Sequence, residues 1–195
     1  MIETDKFKAA IHQFDLANSQ DPNQEEWKGN TYPKEMLYAE RMTDCLEAFA
    51  PDAPEALQLA ARCQHIKRWE IPRETYPMDR PGYHAWRNEL KKYHAEQAEN
   101  ILQQVGYDEE TIERVKFLLQ KKQLRRDPDT QTLEDVICLV FLQYYFEPFS
   151  QKYEEEKLID IVQKTWRKMS EKGHEAALKL DYSPESLDLI KKALA

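Results

Sequence analysis

His65, Arg68, Arg73, Arg80, Arg87 and His94 fall in one stretch of the sequence, and side chains of these types bind anions and work on them. An arginine guanidinium is a planar fork that matches phosphate or carboxylate through two parallel hydrogen bonds. An imidazole changes charge near neutral pH, so it can move a proton or ligate a metal. Residues 62–92 carry eight basic and four acidic side chains, a net charge of +4, whereas the rest of the chain sums to −12. A cationic island on an acidic protein is a natural place for an anionic ligand. The combination points to a phosphorylated small molecule or nucleotide as the partner.

Helical geometry sharpens this. At 100° per residue, Arg80, His84, Arg87, Lys91 and His94 fall within about 40° of one line, whereas Tyr83, Trp86, Leu90 and Tyr93 fall between about −60° and −140°. The second set is the expected buried stripe. Arg87 and His94 then stand at the border between basic face and core, held firmly yet able to reach a pocket. The plainer alternative is a solvated basic face with a histidine at its edge.

His65 closes an apolar stretch and would, by itself, be a hydrogen-bonded core histidine. Its company favours function: Arg68, Trp69, Arg73 and Arg80 follow on a loop that Pro72, Pro77 and Pro81 stiffen. Trp69, Ile71, Tyr76 and Met78 give that loop something to pack with. Glu134 and Asp135 open a helix that is apolar nearly all round. They either complement its positive N-terminus or face His65 and His94 as general base or metal ligand.

The elements that must hold these residues read as helices. Amphipathic spacing predicts helices over 3–18, with Phe7, Ile11, Phe14 and Leu16 inward, and over 34–50. Asp52 and Glu55 have the spacing of a capping box opening a helix over 55–67. Further helices are expected over 80–104, 109–122, 133–149 (the central one) and 154–170, and from Pro184 onward behind the Ser183 cap. Residues 20–33 read as a polar loop. The expected fold is all-α, a single domain of about seven or eight helices over 1–195. Only four glycines occur, so glycine-rich phosphate loops have little material to form from.

No apolar run approaches the roughly 20 residues needed to span a bilayer, and the acid-bearing N-terminus lacks a signal core. Cys45, Cys63 and Cys138 are an odd, widely spaced set and read as structural thiols of a reducing compartment, the cytoplasm. The net charge of −8 argues against indiscriminate binding to nucleic acid.

The run AARCQHIKRWEIPRETYPMDRPGYHAWRNELKKYHAEQAENIL, with LYAERM before it and QTLEDVICLVFL and KTWRKMS after it, resembles a bacterial and fungal family known only as a domain of unknown function, the DUF4202 group. The resemblance covers essentially the whole chain and implies a helical core similar to that of HD phosphohydrolases. Enzymes of that kind bind one or two metal ions through a histidine, a His-Asp dyad and a later aspartate. In this sequence Tyr38 stands where the first histidine would, Gln64-His65 occupies the dyad, and Asp135 matches the last aspartate. His94 matches an additional histidine of some phosphodiesterase branches, and Lys121-Lys122 matches a histidine pair. Three of the four defining ligands are therefore changed. The resemblance implies no two-metal centre and at most a single weakly held divalent ion.

Two functional readings stand. In one, the chain is an enzyme on a phosphorylated substrate, a diverged HD-like phosphohydrolase. His65 or His94 is then acid or base, with Asp135 or Glu134 as partner, and Tyr38, Gln64, Arg68, Trp69, Arg73, Arg80, Arg87 and Lys121 line the ligand. In the other, it is a non-catalytic module of the same fold that binds a ligand or a protein.

Overall fold

Apolar residues at helical spacing build ten α-helices in the computed structural model, which describes residues 5–195. They are α1 (Asp5–Asn18), α2 (Lys34–Phe49), α3 (Glu55–Arg62), α4 (Arg80–Val105), α5 (Glu109–Leu119), α6 (Pro128–Val140), α7 (Phe146–Ser150), α8 (Glu155–Trp166), α9 (Glu171–Ala177) and α10 (Pro184–Leu194). The all-α reading holds, with more and shorter helices than the expected seven or eight. Expected helical positions 3 and 4 lie outside the described residues.

One buried apolar cluster joins α1 to α6 around Phe14, Met42, Leu57, Leu102 and Leu118. A second joins the end of α6 to α7, α8 and α10 around Phe146, Val162 and Ile190. Cys45 and Phe49 of α2 pack against both. All three cysteines are free, and Cys63 and Cys138 are buried.

The departures from expectation each have a local cause. Residues 24–33 are not loop but a two-stranded antiparallel hairpin, β1 (Gln24–Trp27) and β2 (Asn30–Pro33). Its two-residue turn, Lys28-Gly29, has both φ values positive, the geometry that matches the right-handed twist of the strands. The Asp52 capping box does not form: Pro54 stands at the N-cap of α3 with no side-chain cap. That helix stops at Arg62, and 63–67 is a turn ending in Lys67 at φ 51°. The expected central helix is broken after Val140 by a π-helical turn, Phe141–Tyr145. Leu16 and Tyr83, expected inward, are 49% and 45% exposed, and Met78 of the loop is 77% exposed.

Side-chain bonds from α1 and the turn after it fix the segments that carry the site. Asp15 takes two hydrogen bonds from the Arg62 guanidinium, at 2.6 and 2.8 Å. Asn18 Oδ1 accepts from Lys67 N at 3.1 Å and holds the 63–67 turn. Asp21, itself buried, accepts from Glu35 N at 3.0 Å and anchors the first turn of α2. Asp79, Asp108 and Ser183 cap α4, α5 and α10 through side-chain oxygens.

Candidate functional site

The first turn of α2, the 63–68 turn and the middle of α4 bring four residues together: Glu35, Tyr38, His65 and His94. His65 lies flat on the Tyr38 ring, centroids 4.0 Å apart and planes at 13°. Its Nδ1 is 3.2 Å from Glu35 Oε2, and its ring centroid is 5.9 Å from that of His94. His94 Nδ1 is 2.8 Å from the Ile66 carbonyl oxygen. A carbonyl can only accept, so the His94 proton sits on Nδ1 and the Nε2 lone pair is free. When the Glu35 carboxylate accepts from Nδ1 of His65, that ring too keeps its lone pair on Nε2. The site can therefore offer two neutral imidazoles.

Electrostatics agree with that protonation. Burial, then the charges of Arg68, Arg87, Lys121 and Lys34, hold His65 well below the ordinary histidine range. Burial and the neighbouring His65 push His94 down to about 3. Burial raises Glu35, with Arg68, Lys34 and His94 opposing. Tyr38 is raised well above the usual phenol range by burial and by Glu35.

The cations around these rings come from several elements. Arg68 lies over the Trp86 ring, 5.1 Å from its centroid, and 3.9 Å from Glu35 Oε1. Its Nε is buried without a hydrogen-bond partner among the described residues. Arg87, half-buried on α4, forms no hydrogen bond or ion pair among the described residues. Its charge nonetheless reaches His65, Tyr38, Lys91, Lys121 and Glu134. Lys121, held at φ 55° after α5, is bonded to the buried Glu134. Lys168 Nζ lies 3.9 Å from the same carboxylate. Burial alone would raise Glu134, but Lys121, Lys168 and Arg87 together hold it below the usual carboxylate range.

Tyr38, Gln64, His65, Arg68 and His94 thus gather around Glu35, and Lys121 and Glu134 form a buried pair from which the Lys121 charge acts on His65. Asp135 does not join them. Its carboxylate accepts from Ser170 N at 2.8 Å, Ser170 Oγ at 2.5 Å and Gln131 Nε2 at 3.1 Å, and it packs against Gly173 of α9. It is committed to docking α9 on α6, one helical position away from the site-facing Glu134. Arg73 is likewise spent: its guanidinium donates to the carbonyls of Tyr76, Pro77 and Asp79 and stitches the loop. Arg80 is exposed at the start of α4, and Trp69 is half-buried in a 3-10 turn, Arg68–Glu70. The tryptophan that backs Arg68 is Trp86, whose Nε1–H donates to the Ile71 carbonyl.

Three contributors escaped the sequence reading. Glu35 is one helical turn before Tyr38, and that i, i+3 spacing was the available signal. Lys168 and Lys34 are far from the basic island in sequence and gave none. Beneath the site, Arg41 is buried among Trp27, Tyr144 and Tyr145, with its charge 4.6–5.1 Å from their centroids, and it pairs with Glu25 at 2.5 Å. The π turn aims Tyr144 and Tyr145 there, and the Tyr145 ring centroid lies 6.0 Å from that of Tyr38.

The donor set does not suit the two-metal centre of HD enzymes. Tyr38 Oη donates to Gln64 Oε1 at 2.9 Å, so these two side chains satisfy each other, and Asp135 is engaged elsewhere. The single ion imagined on His65, His94 and a carboxylate also lacks a closed set. Among the described residues, the trio of ligand atoms within 4.8 Å of one another is Glu99, Glu109 and Glu113, where Lys116 already pairs with two of the three. No helix of the described residues is long and apolar enough to cross a membrane.

No curated protein and no solved structure matches the chain. The sequence profile of a domain of unknown function, DUF4202, matches residues 8–190, and the chain belongs to that family.

Proposed function

We propose that the cluster of cations and histidines contributed by α2, the 63–68 turn, α4 and α6 binds a phosphorylated small molecule or nucleotide, and that its histidines can act on that ligand. The observation that carries this is the charge imbalance around two neutral histidines. Arg68, Arg87, Lys91, Lys121, Lys168 and Lys34 gather there against only two carboxylates, Glu35 and Glu134. Crowded, partly buried cations repel one another, and a multiply charged anion relieves that cost. Arg68, with one donor nitrogen buried and unused, is the first candidate clamp.

The chemistry the residues support is general base catalysis. Within hydrogen-bond reach of a bound phosphoester, His65 Nε2 can take the proton of an attacking water while Glu35 holds the ring through Nδ1. Arg68 and Arg87 would neutralise charge on the phosphoryl oxygens. This reading goes with a diverged HD-like core that works without the metal pair, and with residence in the cytoplasm, which fits three free cysteines. The mutual hydrogen bond of Tyr38 and Gln64 favours a second reading, a module that binds the ligand and does not turn it over.

A thermal-shift screen of nucleotides and sugar phosphates tests the binding, and Arg→Lys changes then test the clamp. Lysine keeps the charge and loses the fork. Arg68→Lys should weaken binding of the stabilising compound by about 1.5–3 kcal/mol, the worth of a charge-assisted hydrogen bond. If no phosphorylated compound stabilises the protein, or if Arg68→Lys and Arg87→Lys both bind as wild type does, the site is not a phosphate clamp.

A further inference from the structure

We infer that the groove between α1 and α4 binds a neutral, hydroxyl-rich small molecule, a saccharide or polyol, through two rows of side-chain carboxamides. The groove has a volume of about 490 Å³, within the range of small-molecule sites. It shares no lining residue with the cluster around Glu35, His65 and His94.

Its two walls repeat one sequence pattern. α1 and the turn after it supply Gln13, Leu16, Ala17 and Gln20, and α4 supplies Gln97, Asn100, Ile101 and Gln104. Both sets have the spacing i, i+3, i+4, i+7, which gathers residues on one helical face. In both, glutamines stand at the ends and an aliphatic residue at the third place. Neighbouring positions are acidic, with Asp15 on α1 and Glu96 and Glu99 on α4. Among the described residues, however, no acid lines the groove, and Lys67 is its single cation. A chain with 33% charged residues thus turns two uncharged stripes towards one cavity.

A carboxamide is planar and sets an acceptor oxygen beside a nitrogen with two protons to donate. Two neighbouring hydroxyls of a polyol match that pair, one donating and the other accepting. Leu16, 49% exposed, and the half-buried Ile101 offer apolar contact to the C–H surface of such a ligand. Asn18 adds a buried amide next to Ala17. It is 1% exposed, and its Oδ1 accepts from the backbone N of the groove residue Lys67 at 3.1 Å. Its Nδ2 has no hydrogen-bond partner among the described residues, so a donor is left over there.

Other ligand classes fit the lining less well. Phosphates and acidic peptides call for arginine forks, and nucleobases for aromatic or arginine planes. Neither is found among the described lining residues. An extended peptide adds to a free sheet edge, a proline-rich one needs aromatic walls, and a helix needs an apolar groove. Two helices with amide faces supply none of these.

The test is a titration of the whole isotope-labelled chain with glucose, maltose, trehalose and myo-inositol, read at the side-chain NH₂ resonances of asparagine and glutamine. At least one compound should give saturable shifts at Gln13, Gln97, Asn100 and Gln104. Asn100 and Gln104 are exposed and alanine favours helix, so Asn100→Ala/Gln104→Ala should fold, which a melting curve checks. The double variant should weaken that compound at least about tenfold, through the loss of two neutral hydrogen bonds. Gln20→Ala, outside any helix, is a second variant and should weaken it by about two- to tenfold. Saturable shifts from none of these compounds, or unchanged affinity in both variants, overturns the inference. So does binding of tetraglycine or inorganic phosphate at these residues in place of the saccharides.

Discussion

The Nδ1–H of His94 is accepted by the Ile66 carbonyl, which fixes the tautomer, while burial and the neighbouring His65 keep the ring neutral against that bond. The folded protein keeps His94 neutral down to about 3, whereas the unfolded chain protonates it near the ordinary 6.5. Between those values the unfolded state binds more protons, so stability rises with pH. Stability from this group is complete above about 6.5 and drains as pH falls towards 3, by at most about 1.4 kcal/mol per pH unit. His65, also held low, adds in the same direction, and Glu35, held high, opposes above the usual carboxylate range. The His94→Gln variant removes this contribution directly. Its stability should vary less steeply with pH between 4 and 6 than that of wild type; equal slopes from denaturant melts at each pH would contradict the assignment. At this scale the sequence was informative about types and poor about engagement. His65, His94, Arg68 and Arg87 stood out by chemistry, but nothing in the primary structure said that Arg73 is consumed by three carbonyls. Nor did it say that Asp135 turns to Ser170 while its neighbour Glu134 turns to Lys121.

Among the elements, the loop before α4 does the positioning. Arg73 gathers its carbonyls, Trp86 holds Ile71, and Asp79 caps the helix through Gly82 N at 2.7 Å. Gly82 is packed so closely that an added Cβ would stand 2.1 Å from the Pro77 carbonyl oxygen, and backbone cannot yield there cheaply. Gly82→Ala should therefore cost about 1–3 kcal/mol as an overpacked site and lower the melting temperature by several degrees. An unchanged melting curve would mean that the loop does not sit on α4 as described. The helices were legible because their apolar spacing and caps are local: Asp79, Asp108 and Ser183 are found where helix starts were read. The hairpin and the π turn were not, because their cause is tertiary. Trp27, Tyr144 and Tyr145 close around Arg41, a gathering of α2, the hairpin and the end of α6 that no short window of sequence contains.

Over the whole molecule, the net charge of −8 contrasts with a local excess of cations around Glu35 and Glu134. That contrast favours small anions that can enter, and it disfavours extended polyanions, which would also meet the acidic exterior. Compositional reasoning located half of this arrangement. It found the island at 62–92 but counted Arg62 and Arg73, which are structural, and it could not count Lys34 and Lys168, which fold in from either end. The central proposal is that His65 and His94 take part in binding an anion. It is tested most directly by following the histidine side-chain ring resonances in a two-dimensional NMR titration with pyrophosphate. The account predicts saturable shifts at His65 and His94 along one binding curve, with His174, stacked on Trp166 in the second core, unmoved. Shifts that never saturate, or that spare His65 and His94, would contradict it.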